Sequence, residues 1–140
     1  LGEKMNHSAG IYKEWLKLAV KRIRDLSSSE KTEKKVIVQI EQYVDFHIEE
    51  RITRENIARA VSFSEDYISK LFKRETGNSL SEYIMSRKIE RAKELIEKDE
   101  EPIGYIATRL GYSSFSYFSE VFKRFTGELP SEYKRITRTE

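Results

Sequence analysis

Apolar residues recur at steps of three and four along most of the chain, the rhythm of amphipathic helices, and the pattern predicts an all-α protein. Between Ile11 and Leu26, the residues Tyr12, Leu16, Ala19, Ile23 and Leu26 follow the a/d spacing of a helix seam, and Trp15 widens it. Residues 1–10 show no such period and read as a flexible start, and Ser27-Ser28-Ser29 reads as a linker or cap. Lys34 to Ile48 forms a second amphipathic pattern, with Val36, Ile37, Ile40, Tyr43, Val44 and His47 or Ile48 on one broad face. Shorter helices follow from about Arg54 to Val61 and Glu65 to Glu75, with Ser64 as cap and Gly77 as stop. Ser79 to Glu97 reads as one long helix with Leu80, Tyr83, Ile84, Ile89, Ala92, Leu95 and Ile96 inward and a mixed-charge outer side. Pro102 suits a first helical turn, and Ile103, Ile106, Ala107 and Leu110 give that helix its apolar face. Gly111-Tyr112-Ser113 ends it and caps the next, which starts at about Ser114 and is expected to bury Phe118, Val121, Phe122 and Phe125. Pro130 starts a last short helix, with Thr137 to Glu140 fraying.

The pattern contains a repeat. At an offset of 50 residues, Tyr67–Tyr83 and Tyr117–Tyr133 share Tyr, Ser, Phe, Lys, Arg, Thr, Gly, Ser, Glu and Tyr, 10 of 17 positions. Upstream, Ile57-Ala58 and Val61-Ser62-Phe63-Ser64 match Ile106-Ala107 and Leu110-Gly111-Tyr112-Ser113 at an offset of 49, so the second copy has one extra residue before its Tyr. A fixed period of this size marks a duplicated supersecondary unit, and each copy reads as helix, tight turn, helix. Ser62 stands where the second copy has its turn glycine. If that position needs a positive φ, Ser costs about 1 kcal/mol relative to Gly, and a somewhat different turn geometry is expected.

The segments AxxxxFSxxYISKLFKxxTG, Ser79-Leu80-Ser81-Glu82-Tyr83-Ile84 with Ala92 to Ile96, and IxxIAxxLGYSxxSYFSxVFKRFTGxxPSEY resemble the AraC/XylS family of transcription regulators. The resemblance implies a DNA-binding domain of two helix-turn-helix motifs joined by a long helix. It divides the chain into a helical extension or linker from an upstream domain at 1–31 and the DNA-binding domain at 32–140. Within that domain the first motif lies at about 53–76, the connecting helix at about 79–97 and the second motif at about 102–126. It further implies a bacterial, cytoplasmic regulator, often an activator that contacts RNA polymerase. About 30 residues precede the domain, too few for a ligand-binding or phospho-receiver domain, and the chain begins at Leu1. The regulatory domain is therefore expected outside this sequence, and the Ile11–Leu26 seam is either a helix docked on its own domain or a connecting helix that dimerises the full-length protein.

Composition narrows the alternatives. Charged residues make up 36% of 140, yet the net charge is only +2, so the case for nucleic acid rests on where charges sit. No cysteine is present, which excludes disulfides, thiolate catalysis and Cys-based zinc sites. No apolar run approaches the roughly 20 residues of a membrane span, so no membrane partner is expected. His7 and His47 are the only histidines, and a metal site would need further ligands near them. No Ser-His-Asp set, phosphate-cradling glycine loop or His-rich spacing points to an enzyme, a metal or a cofactor.

A helix-turn-helix offers its second helix to the major groove of double-stranded DNA, apolar inside and polar outside. In the first copy Ser64 caps that helix, and Glu65, Asp66, Ser69, Lys70, Lys73 and Arg74 lie off the Tyr67, Ile68, Leu71, Phe72 face. In the second, Ser114, Phe115, Ser116, Ser119, Glu120, Lys123 and Arg124 remain. Lys70 is the candidate for guanine O6 or N7 and Asp66 for cytosine N4, while the hydroxyl and aromatic groups of the second helix suit thymine-methyl contact and shape readout. The repeated Lys-Arg pair is either a solvated helix end that favours cations or a set of phosphate contacts. Arg87 matches an arginine of the family's connecting helix and either contacts phosphate or ties the modules together. Glu120 stands where the family often has Lys or Arg. The rival is a helical protein-interaction module without DNA binding, against which the cations at Lys70, Lys73, Arg74, Lys123 and Arg124 count.

Overall fold

A computed structural model describes the backbone of residues 2–139 and the side chains of 10–24 and 28–139. The described residues form seven helices and no strand: α1 (Gly2–Phe46), α2 (Arg54–Val61), α3 (Glu65–Thr76), α4 (Leu80–Lys98), α5 (Ile103–Arg109), α6 (Phe115–Thr126) and α7 (Pro130–Thr139). Two units are distinguished, residues 1–36 and 37–140.

In the first unit the expected flexible start and the expected break at Ser27–Ser29 are both replaced by helix. Serine is a mediocre helix former but not a breaker, and neither Gly nor Pro stands at the break. Thr32 Oγ1 donates back to the Ser28 carbonyl at 2.9 Å, the usual way a helical hydroxyl satisfies itself. Along the seam Tyr12, Leu16 and Ile23 are exposed, as is Trp15. Leu26 and His7 lie outside the described side chains.

The second unit carries the repeat. Ile40 and Val44, from the end of α1, are fully buried. Thr53 caps α2 by accepting from the Asn56 amide at 3.1 Å, and Ser64 and Ser114 cap α3 and α6 by accepting from the amides of Tyr67 and Tyr117 at 3.1 and 3.2 Å. The cap of the second recognition helix is therefore Ser114 and not Ser113, and the extra residue is absorbed in the turn before it. Pro102 sits at the N-cap of α5, one place earlier than expected, where its missing N–H costs nothing. Both recognition helices stop alike. Thr76 and Thr126 donate to the carbonyls of Phe72 and Phe122 at 2.7 and 2.8 Å, and Gly77 and Gly127 follow at φ 81° and 84°, which side chains rarely adopt.

The turns inside the motifs agree as well, which corrects the expectation for Ser62. Its φ is 63°. The amides of Ser62 and Phe63 donate to Arg59 and Ala58, as those of Gly111 and Tyr112 donate to Thr108 and Ala107. Two matching helix-turn-helix units thus pack on α4. The first motif packs through α3 on its N-terminal half, burying Ile57, Ile68, Leu71, Phe72 and Leu80. Ile89, Ala92, Leu95 and Ile96 on its C-terminal half form a core with Ile106, Leu110, Phe118, Val121 and Phe122. Phe72 and Phe122, equivalent in the repeat, are completely buried, and each ring meets its own tyrosine: Tyr83 at 5.0 Å and Tyr133 at 5.5 Å.

Phe125 and Tyr67 depart from their expected faces: both are 36% exposed. The Arg124 guanidinium lies over the Phe125 ring at 5.5 Å, and Tyr67 stacks on Phe63 at 4.8 Å. The C-terminal end does not fray from Thr137. Arg138 holds Asp99 through both carboxylate oxygens, Lys134 reaches the same group at 3.0 Å, and Thr137 Oγ1 donates to the Tyr133 carbonyl. Among the described residues no helix is long and apolar enough to cross a membrane.

Candidate nucleic-acid interface

The recognition helices present their outer faces as the spacing implied, with informative exceptions. On α3, Glu65, Asp66, Lys70, Lys73 and Arg74 are exposed, and on α6 Phe115, Ser116, Glu120, Lys123 and Arg124 are exposed. Ser69 and Ser119, equivalent in the repeat, are both half-buried, and the Ser69 hydroxyl oxygen is out of solvent without a partner. Ser69 therefore belongs to the margin of the inner face. Position 69 follows Ile68 and precedes Leu71 and Phe72, so it borders the buried stripe.

Lys70 and Asp66, the expected base readers, are bound to each other. Their ion pair spans 3.0 Å across one helical turn with both side chains largely exposed. Such an exposed pair contributes little in water. At the matching place in α6 stands Glu120, so one position of the repeat carries opposite charges in the two motifs.

The Lys-Arg pairs close the same faces. Lys73 Nζ donates to the Gly77 carbonyl at 3.0 Å, where it also meets the negative end of the helix dipole, and Arg74 contacts Glu75 at 3.1 Å. Lys123 is exposed, while Arg124 forms an ion pair with Glu82 in the first turn of α4. Arg87 does not bridge the two motifs: its Nε donates to Asp45 Oδ1 at 2.9 Å and fastens α4 to the end of α1.

Sequence reading missed the polar joint behind these faces. Lys88 is absent from the inward residues expected of α4, yet it is only 7% exposed and lies one turn from both Ile84 and Ala92. A lysine four residues from two apolar positions was the available signal. Its Nζ donates to the carbonyls of Ile48 at 3.0 Å, Glu50 at 2.6 Å and Leu110. Burial pulls its pKa down to about 8, against the pull of the Glu50 carboxylate. Beside it, Glu49 accepts from Arg109 at 3.0 and 3.1 Å and from Arg91 at 3.2 and 3.3 Å, and Arg109 also reaches Glu101 at 2.6 Å. The Arg109 bonds, then those of Arg91, hold the Glu49 carboxyl below its ordinary range. His47 is half-buried, with Nδ1 2.7 Å from Glu50 Oε2, and among the described residues no three potential ligands gather for a metal.

A helix-turn-helix domain family matches residues 57–136, from within α2 through α3, the connecting helix and the second motif. The multiple antibiotic resistance protein MarA of Salmonella typhimurium is 31% identical over 110 residues, 79% of this chain and 86% of that protein. The probable transcriptional regulator LumQ of Photobacterium leiognathi is 28% identical over 88% of this chain, which spans half of LumQ's length. Among solved structures, the C-terminal domain of AraT, a response regulator from Geobacillus stearothermophilus, superposes with a TM-score of 0.69 at 33% identity, covering 72% of this chain and 84% of that one. Two capped recognition helices on one shared helix, the buried Phe72 and Phe122, and these relatives lead to one conclusion: the chain belongs to the AraC/XylS family of DNA-binding transcription regulators.

Proposed function

We propose that a single chain reads two successive major grooves on one face of double-stranded DNA, α3 entering one and α6 the next. The observation that carries this is the mounting of two equivalent recognition helices on opposite halves of α4. Its 19 residues span roughly 28 Å at 1.5 Å per residue, near the ~34 Å between successive major grooves. In this reading Lys70 and Asp66 contact bases in the first segment, and Phe115 and Ser116 read the second by methyl contact and shape. Ser64 and Ser114 set the helix N-termini against the backbone, and Lys73, Arg74, Lys123 and Arg124 hold phosphates. Glu65 and Glu120 border the two grooves and limit affinity. Ser69, Ser119 and Arg87 support the reading helices and do not touch DNA.

Regulation of bacterial transcription in the cytoplasm, contact with RNA polymerase, self-association and control by a sensory domain belong to the same reading and rest on the family alone. Selection of binding sites from random duplex DNA, followed by footprinting, tests it. Two enriched segments about 10 base pairs apart, protected on one face by one chain, are expected. Enrichment of one segment only, or none, would show that the second motif does not read DNA.

A further inference from the structure

The two motifs are joined through α4, but they are also joined a second way. Ile48 and Glu50 belong to the segment that leads from α1 into the first motif, and Leu110 ends α5 of the second. The three hydrogens of the Lys88 ammonium are matched by three carbonyls, one from each of those residues, so the cation has no donor left for another partner. The backbones touch at the same place: a Cβ on Gly111 would lie 3.3 Å from the Glu50 oxygen and 3.4 Å from the Arg51 nitrogen. The Glu49 carboxylate adds a third tie, through Arg109 of α5 and Arg91 of α4. The entry to the first motif is thus fastened to the turn of the second, around one buried cation on the connecting helix.

We infer that Lys88 is a positioning residue that fixes the separation and angle of the two recognition helices, so that the chain selects DNA by the number of base pairs between its two contacted segments. The inference rests on the two-groove reading above. One base pair added or removed moves the second segment by ~3.4 Å and turns it by ~35° around the duplex. A rigid pair of heads cannot follow that change without giving up contacts, whereas a loosened pair can.

The test compares duplexes that carry the selected site with its natural spacing, one base pair fewer and one more. The readout is the ratio of dissociation constants between altered and natural spacing, from which the general loss of a positive charge cancels. Wild type should lose at least ~10-fold on either altered duplex, the cost of a few base contacts. Lys88→Met, which keeps length and removes the donors, should lose less than ~3-fold while binding the natural site more weakly. Thermal unfolding establishes that the variant is folded. If it is not, Lys88→Gln, which keeps a polar group beside the same carbonyls but offers fewer donors, gives the readout, with a ratio clearly below wild type expected. A ratio equal to wild type in the folded variant overturns the inference and leaves the two-groove reading intact. A wild type with no spacing preference removes both.

Discussion

Ser62 and Gly111 occupy the same left-handed turn position in the two motifs, at φ 63° and 85°; the Ser62 side chain is exposed, whereas backbone lies against the place where a side chain on Gly111 would go. Substitution should therefore act in opposite directions. Ser62→Gly removes the left-handed penalty of ~1 to 2 kcal/mol and adds ~0.4 to 1 kcal/mol of unfolded-chain entropy, so a net gain of up to ~1.6 kcal/mol is expected. Gly111→Ala carries the penalty and also pushes on the Glu50 and Arg51 backbone, so it should destabilise by more than the turn alone demands. Denaturant unfolding of both variants checks this, and equal effects of the same sign would show that the two turns do not differ in their surroundings.

Phe72→Ala and Phe122→Ala should each cost about 3 to 5 kcal/mol, since each ring is completely buried against its own tyrosine. Against the ~5 to 15 kcal/mol that holds a domain together, either change is large. A loss under ~1 kcal/mol at one site and not the other would mean that the two cores are not equivalent in energy despite their matching geometry.

Lys88 gives the domain a pH dependence with a definite sign. Burial lowers its folded pKa from 10.5 to about 8, while the unfolded chain keeps the ordinary value. Between those values the unfolded state holds a proton that the folded state has released, so this residue's contribution to stability rises with pH from about 8 toward 10.5. Its cost is fully present below pH 8. Tyr112, from the turn of the second motif, is pushed up by burial to about 12 and stays neutral in that window. An NMR titration of the Lys88 Nζ or Cε should find the midpoint near 8, and the pH-dependent gain should vanish in Lys88→Met. A midpoint near 10.5 would mean that the three carbonyls hold the proton against burial.

DNA affinity should fall steeply with salt, because phosphate contacts release counterions. Lys73→Ala and Lys123→Ala should weaken binding to all sequences and each flatten the slope of log K against log salt by roughly 1. Lys70→Ala should instead relax base preference in one segment, at ~1 to 3 kcal/mol on the best site. Ser119→Ala should do less, because that side chain is half-buried. Binding titrations at several salt concentrations separate the two kinds of residue, and an unchanged slope would take Lys73 or Lys123 off the phosphate list.

Much of the fold was legible because the repeat states each local rule twice. Gly77 and Gly127, Phe72 and Phe122 stand at equal offsets, so stops and cores could be matched without coordinates, whereas the sequence match paired Ser64 with Ser113 and the structure caps α6 with Ser114. The serine run at 27–29 was misleading: serine weakens a helix without ending it, and composition alone does not tell a weak stretch from a break. Phe125 was expected inside because helical spacing fixes direction only to within a wide arc, and the ring at the edge of that arc found the Arg124 guanidinium instead. The outer faces of α3 and α6 were legible for the same reason that the cores were. The Lys88 joint was not, since its partners are backbone carbonyls 40, 38 and 22 residues away, and a carbonyl carries no sequence signature.

The placement of Lys70 and Glu120 at one repeat position gives the molecule a direction. A pair of identical motifs related by a two-fold axis recognises a palindrome and reads it the same from either end. On the two-groove reading, two tandem copies with opposite charges at one repeat position have no such axis. Turned end for end on the same duplex, the chain would bring a lysine where a glutamate belongs. On that reading a bound molecule points one way along the DNA, and whatever its remaining surfaces touch lies on a defined side of the site.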